Sequence, residues 1–148
     1  MDATIAGVRV AGTPDGPTPV VLLDVDDPEH LLPIFVGFEE ARSIVRGLDA
    51  EDIGRPLTHD LTLDIVEELG GRVERVVVSD VREGTYIADL HLDTPRDSVV
   101  VDARPSDSLA LAARTNAPIG VDEDVFVDGQ RPREDFDHLE DVREVLGR

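Results

Sequence analysis

Apolar side chains recur along this chain with two different spacings, and the change of spacing divides it into strands and helices. Ile5, Val8 and Val10, then an unbroken apolar run at 20–25, read as two strands joined across Gly12-Thr13-Pro14-Asp15-Gly16-Pro17, a stretch of turn-forming residues. A third short run at 31–36 is entered through Asp27-Pro28. The rhythm then lengthens. Phe38, Ala41, Ile44, Val45 and Leu48 recur every three or four residues after Gly37, which predicts a helix with Glu39 and Glu40 in the first turn, where its dipole favours acids. A second helix is predicted over 58–69, capped by Thr58 and stopped by Gly70-Gly71. Its stripe of Leu57, Leu61, Ile65, Val66 and Leu69 is expected to face the core, leaving the adjacent His59 and Asp60 to point outward.

Three strands follow at 73–81, 85–93 and 98–102, joined by Glu83-Gly84 and Thr94-Pro95-Arg96-Asp97, connections short enough for antiparallel hairpins. Pro105 opens a third helix, with Leu109, Ala112 and Ala113 inward and Arg114 near its end. Beyond Asn116-Ala117-Pro118 the pattern is weaker. Asp137-His138-Leu139-Glu140 has capping-box spacing ahead of Leu139, Val142, Val145 and Leu146, which predicts a final amphipathic helix. The order of elements is that of an α+β fold: a mixed or antiparallel sheet with a hairpin meander, packed against about three helices. Residues 1–122 are expected to form the domain proper, and 123–148 an acidic extension within the same globular unit.

Turn lengths also predict register. A two-residue turn at Glu83-Gly84 pairs Asp80 with Ile87 and Val78 with Asp89, and the next loop pairs His91 with Val100 and Asp89 with Asp102. One face then carries Val77, Val81, Tyr86, Ala88, Leu90, Leu92, Val99 and Val101, a core face. The other gathers Asp80, Asp89, His91 and Asp102. Opposed carboxylates repel, so this face is either simply solvated in an acid-rich protein or a cluster that holds a divalent cation or shares a proton.

Composition sharpens the picture. The 148 residues hold no cysteine, which excludes disulfides, thiol nucleophiles and thiolate metal sites. No stretch reaches the ~18 consecutive apolar residues of a membrane helix, and the acidic start reads directly into a strand, so a cytoplasmic protein is expected. Asp and Glu total 33 against 14 basic residues, all arginine, for a net charge of −19. Such self-repulsion opposes compaction in dilute buffer and nearly vanishes at molar ionic strength, where the Debye length is ~3 Å. Adaptation to concentrated salt is the expectation, against binding of cations or basic partners.

Two short segments concentrate polar chemistry. In Asp102-Ala103-Arg104-Pro105-Ser106-Asp107-Ser108 a strand ends, an arginine follows, and a helix begins with free N–H groups. That combination suits phosphate or carboxylate; equally, Ser106 or Asp107 caps the helix while Arg104 pairs with Asp102. In Arg55-Pro56-Leu57-Thr58-His59-Asp60, His59 is either a general base or metal ligand near neutral pH or a lone surface histidine.

These segments, with Gly37-Phe38-Glu39-Glu40-Ala41 and Gly84-Thr85-Tyr86-Ile87-Ala88, resemble the bifunctional nuclease domain in order and spacing, over roughly residues 31–121. The resemblance implies an α+β homodimer and cleavage of DNA and RNA, and it points by motif to Glu40, His59, Asp60, Asp102, Arg104 and Asp107. Asp80, Asp89 and His91 lie outside those motifs. A chain this acidic repels nucleic acid and has no basic stripe, so a nuclease reading leads to a bound Mg²⁺ or Mn²⁺. In it Asp102 and Asp107 hold the metal, His59 with Asp60 activates water, and Arg104 steadies the phosphate. The alternative is a non-catalytic module that binds a small anion at Arg104 and the helix start.

Overall fold

The computed structural model of the protein describes residues 1–52 and 54–147. Strands β1 (Asp2–Thr13), β2 (Gly16–Asp24) and β3 (His30–Phe35) form one antiparallel meander. Helices α1 (Phe38–Leu48) and α2 (Thr58–Glu68) follow, then a second meander of β4 (Arg72–Arg82), β5 (Thr85–Asp93) and β6 (Ser98–Ala103). Helix α3 (Pro105–Thr115) leads into the short strand β7 (Ile119–Val121). That strand joins the two meanders into one sheet, pairing parallel with β4 and antiparallel with β1. The chain ends with α4 (Glu123–Gly129), β8 (Arg131–Pro132), a single 3-10 turn, β9 (Glu140–Asp141) and α5 (Val142–Leu146). The α+β class and the mostly antiparallel sheet are as expected, with nine strands and five helices among the described residues. None of the helices is long and apolar enough to cross a membrane.

The main core lies between the sheet and the packed pair α1 and α3. Ala41 and Ile44 of α1 and Leu109 and Ala110 of α3 meet Val8, Val21, Leu23, Val76 and Val78 there, all fully buried. A smaller cluster of Ala11, Val20, Leu22, Leu31 and Phe136 fills the opposite face of the first meander. Strand β2 is thus covered on both sides, which accounts for its unbroken apolar run. The cover on that second face comes from the segment after 122, which also places Val125, Phe126 and Val142 in the main core. Polar ties fasten it down: Arg9 Nη1 donates to the Leu139 carbonyl at 2.6 Å, Arg133 pairs with Asp24, and Arg143 with Asp49 at 2.8 Å.

The hairpin at Glu83-Gly84 forms as predicted, both residues having positive φ (51° and 80°), the geometry a two-residue turn requires. His91 faces Val100 and Asp89 faces Asp102, again as expected. The expected pairing of Val78 with Asp89 is corrected: a bulge at Ser79 puts Val78 opposite Ala88 and Val77 opposite Asp89. Val76 and Val78 therefore take the buried face and Val77 shares the other with Asp89.

Helix α2 is turned from its expected orientation. None of its residues is buried, and Leu57, Leu61, Ile65 and Leu69 are 44%, 51%, 51% and 75% exposed. His59 and Asp60 instead face α1 and α3, with Leu63 against the core. Leu57 rather than Thr58 holds the N-cap position, its N–H bonded to Asp60 Oδ2 at 3.1 Å. The last helix also starts later than predicted: Asp141, not Asp137, is its cap, accepting from the Arg143 N–H.

Candidate active site

Three helices bring their polar residues to one place. Ser43 comes from α1, His59 and Asp60 from the first turn of α2, Arg104 and Asp107 from the start of α3, and Arg114 from its last turn. His59 Nε2 lies 2.8 Å from Asp107 Oδ1, and its Nδ1 lies 2.6 Å from Ser43 Oγ. Arg114 Nη2 donates to Ser43 Oγ at 3.1 Å, while its Nη1 donates to the Ser43 and Ala110 carbonyls. Its Nε donates to Asp60 Oδ1 at 2.7 Å. In the neutral imidazole these contacts select one tautomer: Ser43 accepts from Arg114 and gives its hydroxyl proton to Nδ1, and Nε2–H donates to Asp107.

Asp107 also accepts from Arg104, at 2.9 Å from Nε and 3.2 Å from Nη2. Burial pushes the Asp107 carboxyl up, but hydrogen bonds from Arg104 and His59 outweigh it and hold the group below the usual carboxylate range. Asp60 behaves alike: burial raises it, and the Arg114 guanidinium with the Leu57 N–H brings it down. Both carboxylates are therefore fixed anions, each locked to an arginine. They orient the neighbouring groups rather than exchange protons.

Arg104 reaches past Asp107 into an open cleft of about 520 Å³. Glu40 lies on its far side, with Oε1 3.8 Å from Arg104 Nη1. Gly37 allows this: a Cβ there would meet Glu40 Oε2 at 2.2 Å, so only glycine lets the carboxylate fold back over the start of α1. Phe35, Tyr86 and Ser106 line the same cleft. Glu40 is half-buried and, among the described residues, makes this loose pair with Arg104 but no close hydrogen bond.

The positions expected from sequence thus separate into three groups. Glu40, Arg104, Asp107 and His59 are joined in one chain of contacts. Asp60 belongs to its far end, through Arg114 and Ser43 rather than through His59. Asp102 stands apart, across from Asp89 on the outer face of β6, and Arg104 pairs with Asp107 and Glu40 instead of it. Asp80 is held by Arg82, and His91 faces Arg75 across β4. Asp107 already has both oxygens engaged. No group of three or more His, Asp or Glu side chains among the described residues is placed to hold a metal. Asp102 and Asp107 belong to no such group. Ser43 and Arg114 were missed as site residues. Arg114 carried the signal of a late-helix cation, whereas nothing local marked Ser43.

The bifunctional nuclease domain matches residues 20–133 of the chain. An uncharacterized protein of Mycobacterium tuberculosis is 39% identical over 125 residues, covering 84% of this chain and 73% of that protein. Bifunctional nuclease 2 of Arabidopsis thaliana is 31% identical over 116 residues, 76% of this chain but 35% of the plant protein. Bifunctional nuclease 1 of the same plant is 30% identical over 120 residues, 78% of this chain and 37% of its own length. With more than half of its length matched and its motif residues gathered around one cleft, the chain belongs to the bifunctional nuclease domain family.

Proposed function

We propose that this chain hydrolyses phosphodiester bonds in DNA or RNA, with Glu40 and Arg104 as the catalytic residues. The observation that carries the reading is their opposition across the cleft: a carboxylate with no close hydrogen bond among the described residues, 3.8 Å from a guanidinium that Asp107 and His59 hold in place. A guanidinium suits the non-bridging oxygens of a phosphodiester, and it stabilises the charge that grows there as water attacks. Glu40 takes the proton from that water. The new P–O bond forms, the opposite P–O ester bond breaks, and the leaving oxygen is protonated from solvent. The loose contact between Glu40 and Arg104 is cheap to open for substrate. His59 and Asp107 act through Arg104 and are positioning residues.

The test is cleavage of single-stranded substrate in molar KCl, with and without Mg²⁺ or Mn²⁺, since the acid-rich sequence led us to expect a divalent ion. Glu40→Gln and Arg104→Ala should each lose about 10²-fold or more in rate. Undiminished cleavage by both variants removes the assignment. A second reading is favoured by the free N–H groups at the start of α3: a regulatory module that binds a small anion there. It predicts a saturable thermal shift with phosphate and no turnover.

We also propose that the chain works as a homodimer, associating through the exposed stripe Leu57, Leu61, Ile65 and Leu69 of α2. Four aligned apolar side chains left in water on so charged a protein mark a contact surface. Light scattering in molar KCl decides between monomer and dimer.

A further inference from the structure

The cleft in front of α3 holds more than the two catalytic groups. Ser106, in the first turn of that helix, lines the cleft, is only 7% exposed, and has no hydrogen-bond partner among the described residues. Ser106 meets the cleft, where its hydroxyl is open to a hydrogen bond from a ligand. Beside it, the backbone N–H groups of Ser106 and Asp107 lie ahead of the first helical bond, which runs from the Ser108 N–H to the Arg104 carbonyl, and no side chain caps them. With the Arg104 guanidinium, which lines the cleft beside Ser106, these donors offer one wall to an anion.

The opposite wall is apolar. The chain has four phenylalanines and one tyrosine, and Phe35 and Tyr86 both line this cleft. Tyr86 is packed against Gly129 and Leu32, so its ring is part of the wall. Phe35, at the end of β3, is 50% exposed, whereas Phe126 and Phe136 are buried. An aromatic face open to water beside an anion site is what stacks a nucleobase. A volume of about 520 Å³ suits one nucleotide, within the ordinary range for small-ligand sites.

We propose that this cleft is a single-nucleotide subsite: it takes one phosphodiester group on Arg104, Ser106 and the free amides of α3, and one unpaired base on Phe35. The assignment rests on the nuclease reading and gives it a substrate form, a single strand or frayed end gripped at one nucleotide. Charge requires that economy. One phosphodiester brings a single negative charge to Arg104, the one guanidinium among the described residues that lines the cleft, while every further phosphate would lie against a surface of net charge −19. Affinity per phosphodiester therefore does not grow with strand length, and its dependence on salt corresponds to about one phosphate, a slope near −0.7 in log K against log salt.

The experiment is calorimetric titration of a dithymidine dinucleotide and of a 20-mer of the same base into the whole protein in KCl, beside Phe35→Ala and Ser106→Ala. Equal affinity per phosphodiester is expected for the two lengths, with about tenfold weaker dinucleotide binding in each variant. Phe35 is exposed, so its variant folds even if Ser106→Ala does not. Affinity per phosphodiester that rises with length, or a Phe35→Ala variant that binds as well as wild type, overturns the subsite. Wild-type cleavage is measured in parallel. Cleavage without dinucleotide binding in the cleft removes the subsite and spares the nuclease reading. Saturable binding without cleavage does the reverse.

Discussion

Asp107 accepts hydrogen bonds from Arg104 on one side and His59 on the other, and its carboxyl is held below the usual range. The folded value lies under the unfolded one, so as pH falls the unfolded chain takes up this proton first. The stabilisation is complete above the ordinary carboxylate range and is lost as pH drops through the lowered value. In urea titrations between pH 7 and 3, wild type should lose stability below about pH 4 more steeply than Asp107→Asn; parallel curves would show that Asp107 is not coupled to folding. Ser108 presents the opposite case. It is fully buried in α3 and its hydroxyl has no partner. Ser108→Ala removes that unmatched group and should stabilise the protein by about 1 kcal/mol, read as a shift in the urea midpoint. Its neighbour Ser106 is unmatched too, but faces the cleft.

Among the elements, α2 most rewards close attention to which side faces in. Its polar edge is inward because Arg114, whose side chain is only 9% exposed, and Ser43 supply partners for Asp60 and His59. A satisfied polar network thus wins over the burial of four apolar side chains. If a second copy covers that stripe, Leu61→Gln with Ile65→Gln should leave monomer stability within about 0.5 kcal/mol per site. The scattering mass should fall to the 16.1 kDa of one chain. An unchanged mass would place the contact elsewhere. In the β4–β5 hairpin the turn residue Gly84 has φ of 80°, so Gly84→Ala should cost about 1 kcal/mol in thermal or urea unfolding, although no atom lies near the added methyl. An unaffected midpoint would mean that the turn relaxes without strain.

For the whole molecule the dominant quantity is the charge of −19 on 148 residues. Ion pairs such as Arg143 with Asp49 use some arginines to fasten the C-terminal segment, and the remaining acids repel across the surface. Raising KCl from 0.1 to 2 M shortens the screening length from ~10 Å to below ~3 Å. The melting temperature should climb by roughly 5 °C or more over that range. A melting temperature that falls or stays level would mean that the acids are held by local partners rather than by screening. With one phosphate in the cleft, nucleic-acid binding should weaken by only about eightfold over the same range, the consequence of a slope near −0.7.

Spacing along the chain was enough to establish the elements that are regular and locally specified. The two meanders, the tight hairpin, the three main helices and the motif residues at the start of α3 all follow from patterns a few residues long. Residue types at two helix starts drew attention to Arg104, Asp107 and His59, while Glu40 entered through the family resemblance. Local pattern failed where the outcome depended on groups distant in the chain. A single bulge at Ser79 moved Val77 and Val78 to opposite faces, because side chains alternate and one extra residue inverts them. The rotation of α2 was decided by Ser43, 16 residues before His59, and by Arg114, 54 residues after Asp60. Periodicity reports which residues share a side of a helix. Which side is buried depends on what the rest of the fold brings to meet it, and here that was a guanidinium and a hydroxyl.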